Sequence, residues 1–361
     1  MIRVLHFGLS PNFGGIEKYI YDLTRSMPAD INFNFINCWN KKVAYELELK
    51  KMGYHFLYIT PRFNNYRKCI KDLKKIFQTQ KFDYIHFHVM SYSFFEPVVL
   101  AAKYSDAKIL VHYHGGGGNY AKEFSIKAKI LNIIGKKLIT RIKTINLACS
   151  DRSGEAFFHH RKYQVVEDGI EYDKYKFSEE NRKEIRKKYH FSKNNIVLGC
   201  VGALIPIKNH SFIIEVFYRY QLKTPNARLL IVGDGYLKNE LEQLSKKYSI
   251  EQKIIFSGQV KDVSKYYSAM DIYLMPSKNE GFGISLCEAQ VNGLPCIVST
   301  NFPKEVKITK NVKFLELSNA NLWIKAIDTT KKIKDRHSFE LSEKYSLKST
   351  INKIIKIYKE K

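Results

Sequence analysis

Short apolar runs alternate along this chain with longer segments in which apolar residues recur every three to four positions. A parallel sheet produces that alternation, because its strands are covered on both faces while each crossover helix needs only one apolar stripe. The pattern predicts strands over 2–7, 31–37, 55–59, 84–88, 108–113 and 145–148 in the first half, and over 196–201, 228–232, 254–257, 272–275 and 295–299 in the second. Between the two series, the turn-like Asp168-Gly169-Ile170-Glu171 leads into a charged, helical segment at 178–193. The chain therefore reads as α/β, with one domain over 1–172, a second over 173–340 and a terminal segment 341–361 that holds a helix near 342–359. Two such domains in tandem predict a cleft, with ligands beyond the carboxyl ends of the strands.

Composition narrows the setting. Sixty Lys and Arg against 35 Asp and Glu leave a net charge of +25, shared evenly by the two halves. Such a field attracts an anionic partner or reflects a lysine-rich surface. The six cysteines have neither disulfide-framework nor zinc-site spacing and fit a reducing cytosol. The opening run 1–8 reads as a first buried strand rather than a signal peptide, and no run reaches the ~18 apolar residues that cross a bilayer.

The densest chemistry lies in Ser277-Lys278-Asn279-Glu280-Gly281-Phe282-Gly283-Ile284-Ser285-Leu286-Cys287-Glu288. It follows a predicted strand and opens a helix that ends near Asn292-Gly293. Free amides at that helix start suit a diphosphate, and carboxylates at Glu280 and Glu288 suit sugar and ribose hydroxyls. The plainer reading of the two glutamates is a loop charge and a solvated helix face.

This segment resembles the E-x7-E motif of glycosyltransferase family 4. Val201-Gly202, Lys208-Asn209-His210, Val232-Gly233-Asp234-Gly235, Met270-Asp271, Met275-Pro276-Ser277, Asn292-Gly293-Leu294-Pro295 and Glu305 extend the similarity in order. Gly14-Gly15-Ile16-Glu17, Asp83-Tyr84-Ile85-His86, His112-Tyr113-His114 and Cys149-Ser150 match more loosely in the first half.

The resemblance, closest to bacterial capsule and exopolysaccharide enzymes, implies a GT-B architecture of two Rossmann-like domains facing across a cleft, with the terminal helix crossing back to the first. It implies retaining transfer from a nucleotide sugar, read as a UDP-sugar, to a lipid-linked or oligosaccharide acceptor, with neither metal nor other cofactor. Glu280 is then expected to hold donor sugar hydroxyls, Glu288 the ribose and Lys208 the diphosphate. Gly202, Gly281 and the amides of Phe282, Gly283 and Ile284 are expected around the donor. Gly14 and Gly15 are expected to form a flexible loop near the phosphates, and His114 to face the reacting centre. One departure stands out: where the family commonly has Gly-Arg-Leu, this chain reads Gly202-Ala203-Leu204, so a second phosphate cation must come from elsewhere.

His112-Tyr113-His114-Gly115-Gly116-Gly117-Gly118 has the look of a hydrolase oxyanion loop, but the G-x-S-x-G partner motif is missing. Residues 120–143 combine nine large apolar side chains with seven Lys or Arg against Glu123, which suits either a core helix or an anionic membrane surface. A GT-B sugar-nucleotide epimerase and an anionic-polymer-binding protein are the rival classes. No helix-turn-helix, RNP or zinc signature supports a nucleic-acid partner. The setting expected is cytoplasmic, peripheral on the inner face of the membrane.

Overall fold

The computed structural model describes residues 1–116, 125–330, 336–337 and 340–360. Two compact units divide it: Met1–Gly169 with Leu347–Lys361, and Ile170–Ser346.

The first unit is a wholly parallel sheet of β1 (Ile2–Phe7), β2 (Ile31–Asn37), β3 (His55–Tyr58), β4 (Tyr84–Val89), β5 (Lys108–Tyr113), β6 (Ile145–Ala148) and β7 (Gln164–Val165). Their order is β3-β2-β1-β4-β5-β6-β7. Because side chains alternate across a strand, each strand feeds two cores. Leu5, Phe7, Ile85, Phe87, Ile109 and Val111 face one side. Val4, Phe33, Phe35, Tyr84, Leu110 and Leu147 face the other, where Ile354, Ile357 and Tyr358 of the helix Leu347–Lys359 close the layer. That helix is fixed by hydrogen bonds as well: Thr350 Oγ1 donates to the Glu167 carbonyl (2.8 Å), and Tyr84 Oη donates to the Ile357 carbonyl (3.2 Å).

The second unit repeats the plan with β8 (Ile196–Val201), β9 (Ala227–Val232), β10 (Ile254–Phe256), β11 (Ile272–Met275), β12 (Cys296–Ser299) and β13 (Val312–Leu315), ordered β10-β9-β8-β11-β12-β13. Asp271, just ahead of β11, accepts from Arg182 and Arg186 at 2.7 Å each and from the Val197 amide at 2.8 Å. The charged helix Glu179–Lys188 is thereby tied to the sheet, and it is shorter than the 178–193 read from the sequence.

Two boundaries fall elsewhere than the sequence reading placed them. The units change over between Gly169 and Ile170 rather than after residue 172. Residues 341–346 belong to the second unit, because Tyr345 is buried there and its hydroxyl donates to the Glu305 carbonyl at 2.6 Å. The terminal helix accordingly starts at Leu347, after a 3-10 turn over Glu343–Tyr345.

Candidate active site

In the second unit, β11 delivers the chain into a loop that is held from several sides. Ser299 Oγ (2.5 Å) and Asn301 Nδ2 (3.2 Å) both donate to the Ser277 carbonyl. The Lys278 amide donates to the Ile207 carbonyl at 2.8 Å, which ties this loop to the turn carrying Lys208. The result is a compact constellation. Glu280 Oε1 accepts from Lys208 Nζ and from Ser277 Oγ, each at 2.6 Å, and Glu280 is buried. In such a low-dielectric setting a charge-assisted bond is strong, and Glu280 holds the ammonium in one place.

The helix Ile284–Val291 begins immediately afterwards, with Gly283 as its N-cap at φ +93°. A side chain is excluded there twice over: that conformation is unfavourable for L-residues, and a Cβ would stand 2.5 Å from the Phe302 ring. The first amides of this helix have no intrahelical acceptor and carry its positive end. Phe282 is buried, 6.1 Å from Tyr345 between ring centroids. Glu288, a turn into the helix, is 3% exposed, and its Oε2 accepts from Tyr267 Oη at 2.8 Å. Gly202, at the end of β8, lies beside Lys208: a Cβ built there comes within 3.8 Å of the lysine stem. Gly202, Lys208, Glu280, Gly283 and Ile284 thus converge on one end of the second sheet. Gly281 adjoins them in the same loop.

The sequence reading named neither Ser277 nor Tyr267 as a site residue, although Ser277 lay inside the quoted motif. Its bond to Glu280 is a fact of loop geometry.

Gly14, Gly15 and His114 belong to the first unit. Gly14 caps the helix Gly15–Arg25, and its amide donates to Glu17 Oε2 at 3.1 Å. Ser10 closes the turn, giving its amide (3.1 Å) and hydroxyl (2.6 Å) to Glu17 Oε1. The loop expected to be flexible is therefore braced by a buried carboxylate. The His114 ring does not stand free either. Its Nε2 lies 3.0 Å from His88 Nδ1, and its Nδ1 lies 3.4 Å from Asp168 Oδ1. His6, His86, His88 and His112 crowd the same layer, all of them buried. The alternation in Tyr84–Val89 and Lys108–Tyr113, which sets His86 with His88 and His112 with His114 on one face, is a signal from which this cluster could have been read. Of the oxyanion-like run, Gly117 and Gly118 lie outside the described residues.

Two parallel-sheet Rossmann-like domains, the second carrying a cation–carboxylate pair at a glycine-turned helix start, define a glycosyltransferase of the GT-B class. The Glycosyltransferase Family 4 model matches residues 13–173 and the Glycosyl transferases group 1 model matches residues 181–346. Together they take in most of both units, and the chain belongs to this family of glycosyltransferases. EpsF of Bacillus subtilis, described as a glycosyltransferase, is 24% identical over 84% of this chain and 80% of its own. The Escherichia coli UDP-Gal:alpha-D-GlcNAc-diphosphoundecaprenol alpha-1,3-galactosyltransferase is 29% identical over 82% of this chain and 79% of its own. Among solved structures, Anabaena HepE in complex with UDP and glucose superposes with a TM-score of 0.81 at 19% identity, covering 99% of each chain, and so shares the fold.

Proposed function

We propose that the chain transfers a sugar from a UDP-sugar, with retention of configuration, to a lipid-linked glycan in capsule or exopolysaccharide synthesis. The observation that carries this reading is the Lys208–Glu280–Ser277 constellation beside the glycine-capped helix start. A leaving nucleoside diphosphate needs positive charge in the transition state. Lys208 and the first amides of the helix Ile284–Val291 supply it without a metal. Glu280 takes donor sugar hydroxyls and Glu288 the ribose, while Gly14, Gly15 and His114 lie at the carboxyl ends of the first sheet, the side on which such sheets bind ligands. The E. coli relative's printed name couples a UDP-sugar with a diphosphoundecaprenol acceptor, and HepE was solved with UDP and glucose, which supports both parts of the reading.

The direct test is a thermal-shift screen of nucleotide diphosphates and nucleotide sugars. A ligand at 100 times its Kd adds about 2.7 kcal/mol to the folded state, so UDP and one UDP-sugar are expected to raise Tm by several degrees while GDP and ADP do not. Stabilisation by another base alone moves the donor assignment, and stabilisation by none of them removes it.

The helix Ile126–Ile139 supports the lipid-linked acceptor. Gly135 lets it approach the first unit so closely that a Cβ there would stand 2.0 Å from the Tyr92 carbonyl. Yet the helix buries only Gly135 and Ile139, and leaves Ile126, Ile130, Ile133 and Ile134 exposed among Lys127, Lys129, Lys136 and Lys137. Residues 120–124 of the segment lie outside the described residues. No described helix is long and apolar enough to cross a membrane. Exposed isoleucines flanked by lysines suit an anionic headgroup layer, which attracts each basic residue by about 1 kcal/mol. The protein is expected to sediment with vesicles containing phosphatidylglycerol and not with neutral ones. Salt, or replacement of all four lysines by Gln, is expected to release it with no change in Tm. Binding indifferent to lipid charge rules this surface out.

A further inference from the structure

Two tyrosines of the second unit, both wholly buried, give their hydroxyls to the helix that carries Glu288. Tyr267 Oη donates to Glu288 Oε2 at 2.8 Å and reaches the Ser285 carbonyl of the same helix at 3.2 Å. Tyr273, on β11, donates to Ser285 Oγ at 2.9 Å. The two rings lie 6.0 Å apart between centroids, and Tyr175 stands 6.1 Å from Tyr267, edge toward face. Tyr267 belongs to the short helix Ser264–Ala269, whose last carbonyls are held by two guanidinium groups. Arg182 Nη1 donates to the carbonyls of Ser268 (3.1 Å) and Ala269 (3.3 Å). Arg336 gives Nη2 to the Tyr267 carbonyl (3.2 Å) and Nη1 to that of Met270 (3.0 Å). The Tyr267 hydroxyl is therefore delivered to Glu288 from a fixed body.

A buried carboxylate needs donors for its charge and, to serve a ligand, one fixed rotamer. Tyr267 contributes to both. It touches the helix backbone at Ser285 and the helix side chain at Glu288, so the carboxylate is set against the element that bears it. Burial, and after it the charge of Glu288, holds the Tyr267 hydroxyl well above its ordinary 10.0, which keeps it protonated and a donor. Each oxygen of a carboxylate has two acceptor sites, so the bond from Tyr267 orients Glu288 without taking the place of a ribose hydroxyl. A site built to hydrogen-bond a ligand hydroxyl rejects the analogue that lacks it, because its own polar group is then left unpaired. A carboxylate that can turn aside makes no such demand.

We infer that Tyr267 is a positioning residue of the donor site, fixing Glu288 so that its carboxylate accepts from the ribose and thereby setting how strictly the site demands the ribose hydroxyls. This rests on the proposed contact of Glu288 with the ribose. Tyr273 supplies an internal comparison, since it gives its hydroxyl to Ser285 Oγ of the same helix and not to the carboxylate.

The experiment measures, by calorimetry on the full chain, the binding of UDP and of its 2′,3′-dideoxy form, with the same comparison made for GDP and ADP if the base proves different. Wild type is expected to prefer UDP by about 100-fold or more, since two hydroxyls facing a charged acceptor are lost in the analogue. Tyr267→Phe should weaken UDP about tenfold while leaving dideoxy-UDP within about twofold, so the preference falls without a general loss of binding. In a Glu288→Ala background, Tyr267→Phe should change UDP binding by less than about twofold, because the hydroxyl acts through the carboxylate. Tyr273→Phe should keep the wild-type preference. If Tyr267→Phe fails to fold, 3-fluorotyrosine placed at position 267 alone gives a single 19F signal, expected to move with UDP and to stay with dideoxy-UDP. An undiminished preference in Tyr267→Phe, additive losses in the double variant, an equal loss of preference in Tyr273→Phe, or a fluorine signal that UDP leaves in place overturns the inference alone. A wild type that binds none of the three diphosphates, or binds them equally well without the hydroxyls, overturns the ribose contact of Glu288 and the inference with it.

Discussion

Lys208→Ala is expected to lower turnover by about 100- to 1,000-fold, which corresponds to losing roughly 2.7–4 kcal/mol of transition-state stabilisation from one preorganised charged group. The expectation follows from two features. Lys208 Nζ is held at 2.6 Å by Glu280, and Ala203 stands where the resemblance to the family's Gly-Arg-Leu leads one to expect a second cation. On the proposed donor site, removing Lys208 leaves the start of the helix Ile284–Val291 to face the departing diphosphate. Glu280 keeps its bond from Ser277, so the fold is expected to survive with a modest fall in Tm. Single-turnover release of the nucleoside diphosphate is the measurement that isolates the effect. Turnover near wild type would place the phosphate cation elsewhere. Lys278 is the next residue to replace, because its side chain is exposed and its amide is bonded to the Lys208 turn.

Lowering the pH from 7.5 to 5.5 is expected to remove several kcal/mol of stability from the first unit. Burial holds His6 down at about 3, and it holds His86, His88 and His112 well below the ordinary 6.5, with the charges of neighbouring imidazoles as the lesser cause. The groups facing them are His114, Asp168, Tyr19 and Tyr358. In the unfolded chain these imidazoles take up protons near pH 6.5, while in the folded unit they stay neutral. The unfolded state therefore binds more protons below 6.5, and stability that is full above that value drains away as the pH falls. Each imidazole contributes roughly 1 kcal/mol over the first unit of pH below 6.5, so the four together approach the 5–15 kcal/mol, roughly, of an entire domain. In the second unit His210 is held at about 3 in the same way, mainly by burial, and predicts a smaller acid loss there. Trp39 and Trp323, the two tryptophans, lie one in each unit and report them separately in denaturant titrations. Equal stability of the first unit at the two pH values, or equal losses from both units, would contradict the argument.

The strands were legible because a strand buried on both faces has to be apolar along its length, and Ile2–Phe7, Ile31–Asn37 and Ile272–Met275 match the reading residue for residue. Gln164–Val165 and Val312–Leu315 escaped it. One is two residues long, and the other lies at a sheet edge with partly exposed side chains, so neither carries a continuous apolar signal. The glycine turn and helix start after residue 276 were legible for a different reason: the positive φ of Gly283 and the cap it forms are local requirements.

Neighbours along the chain were enough to set the alternating strands and helices, the loop bearing Glu280 and the helix bearing Glu288, and the run of isoleucine and lysine over Ile126–Ile139. Contacts between residues distant in sequence came from the folded chain. Lys208 meets Glu280 across 72 positions, and Tyr358 reaches His86 across 272. Which isoleucines face outward was settled by the close approach of Gly135 to Tyr92. A hydrogen bond depends on tenths of an ångström and on both partners' orientation, whereas periodicity reports only which side of an element is buried.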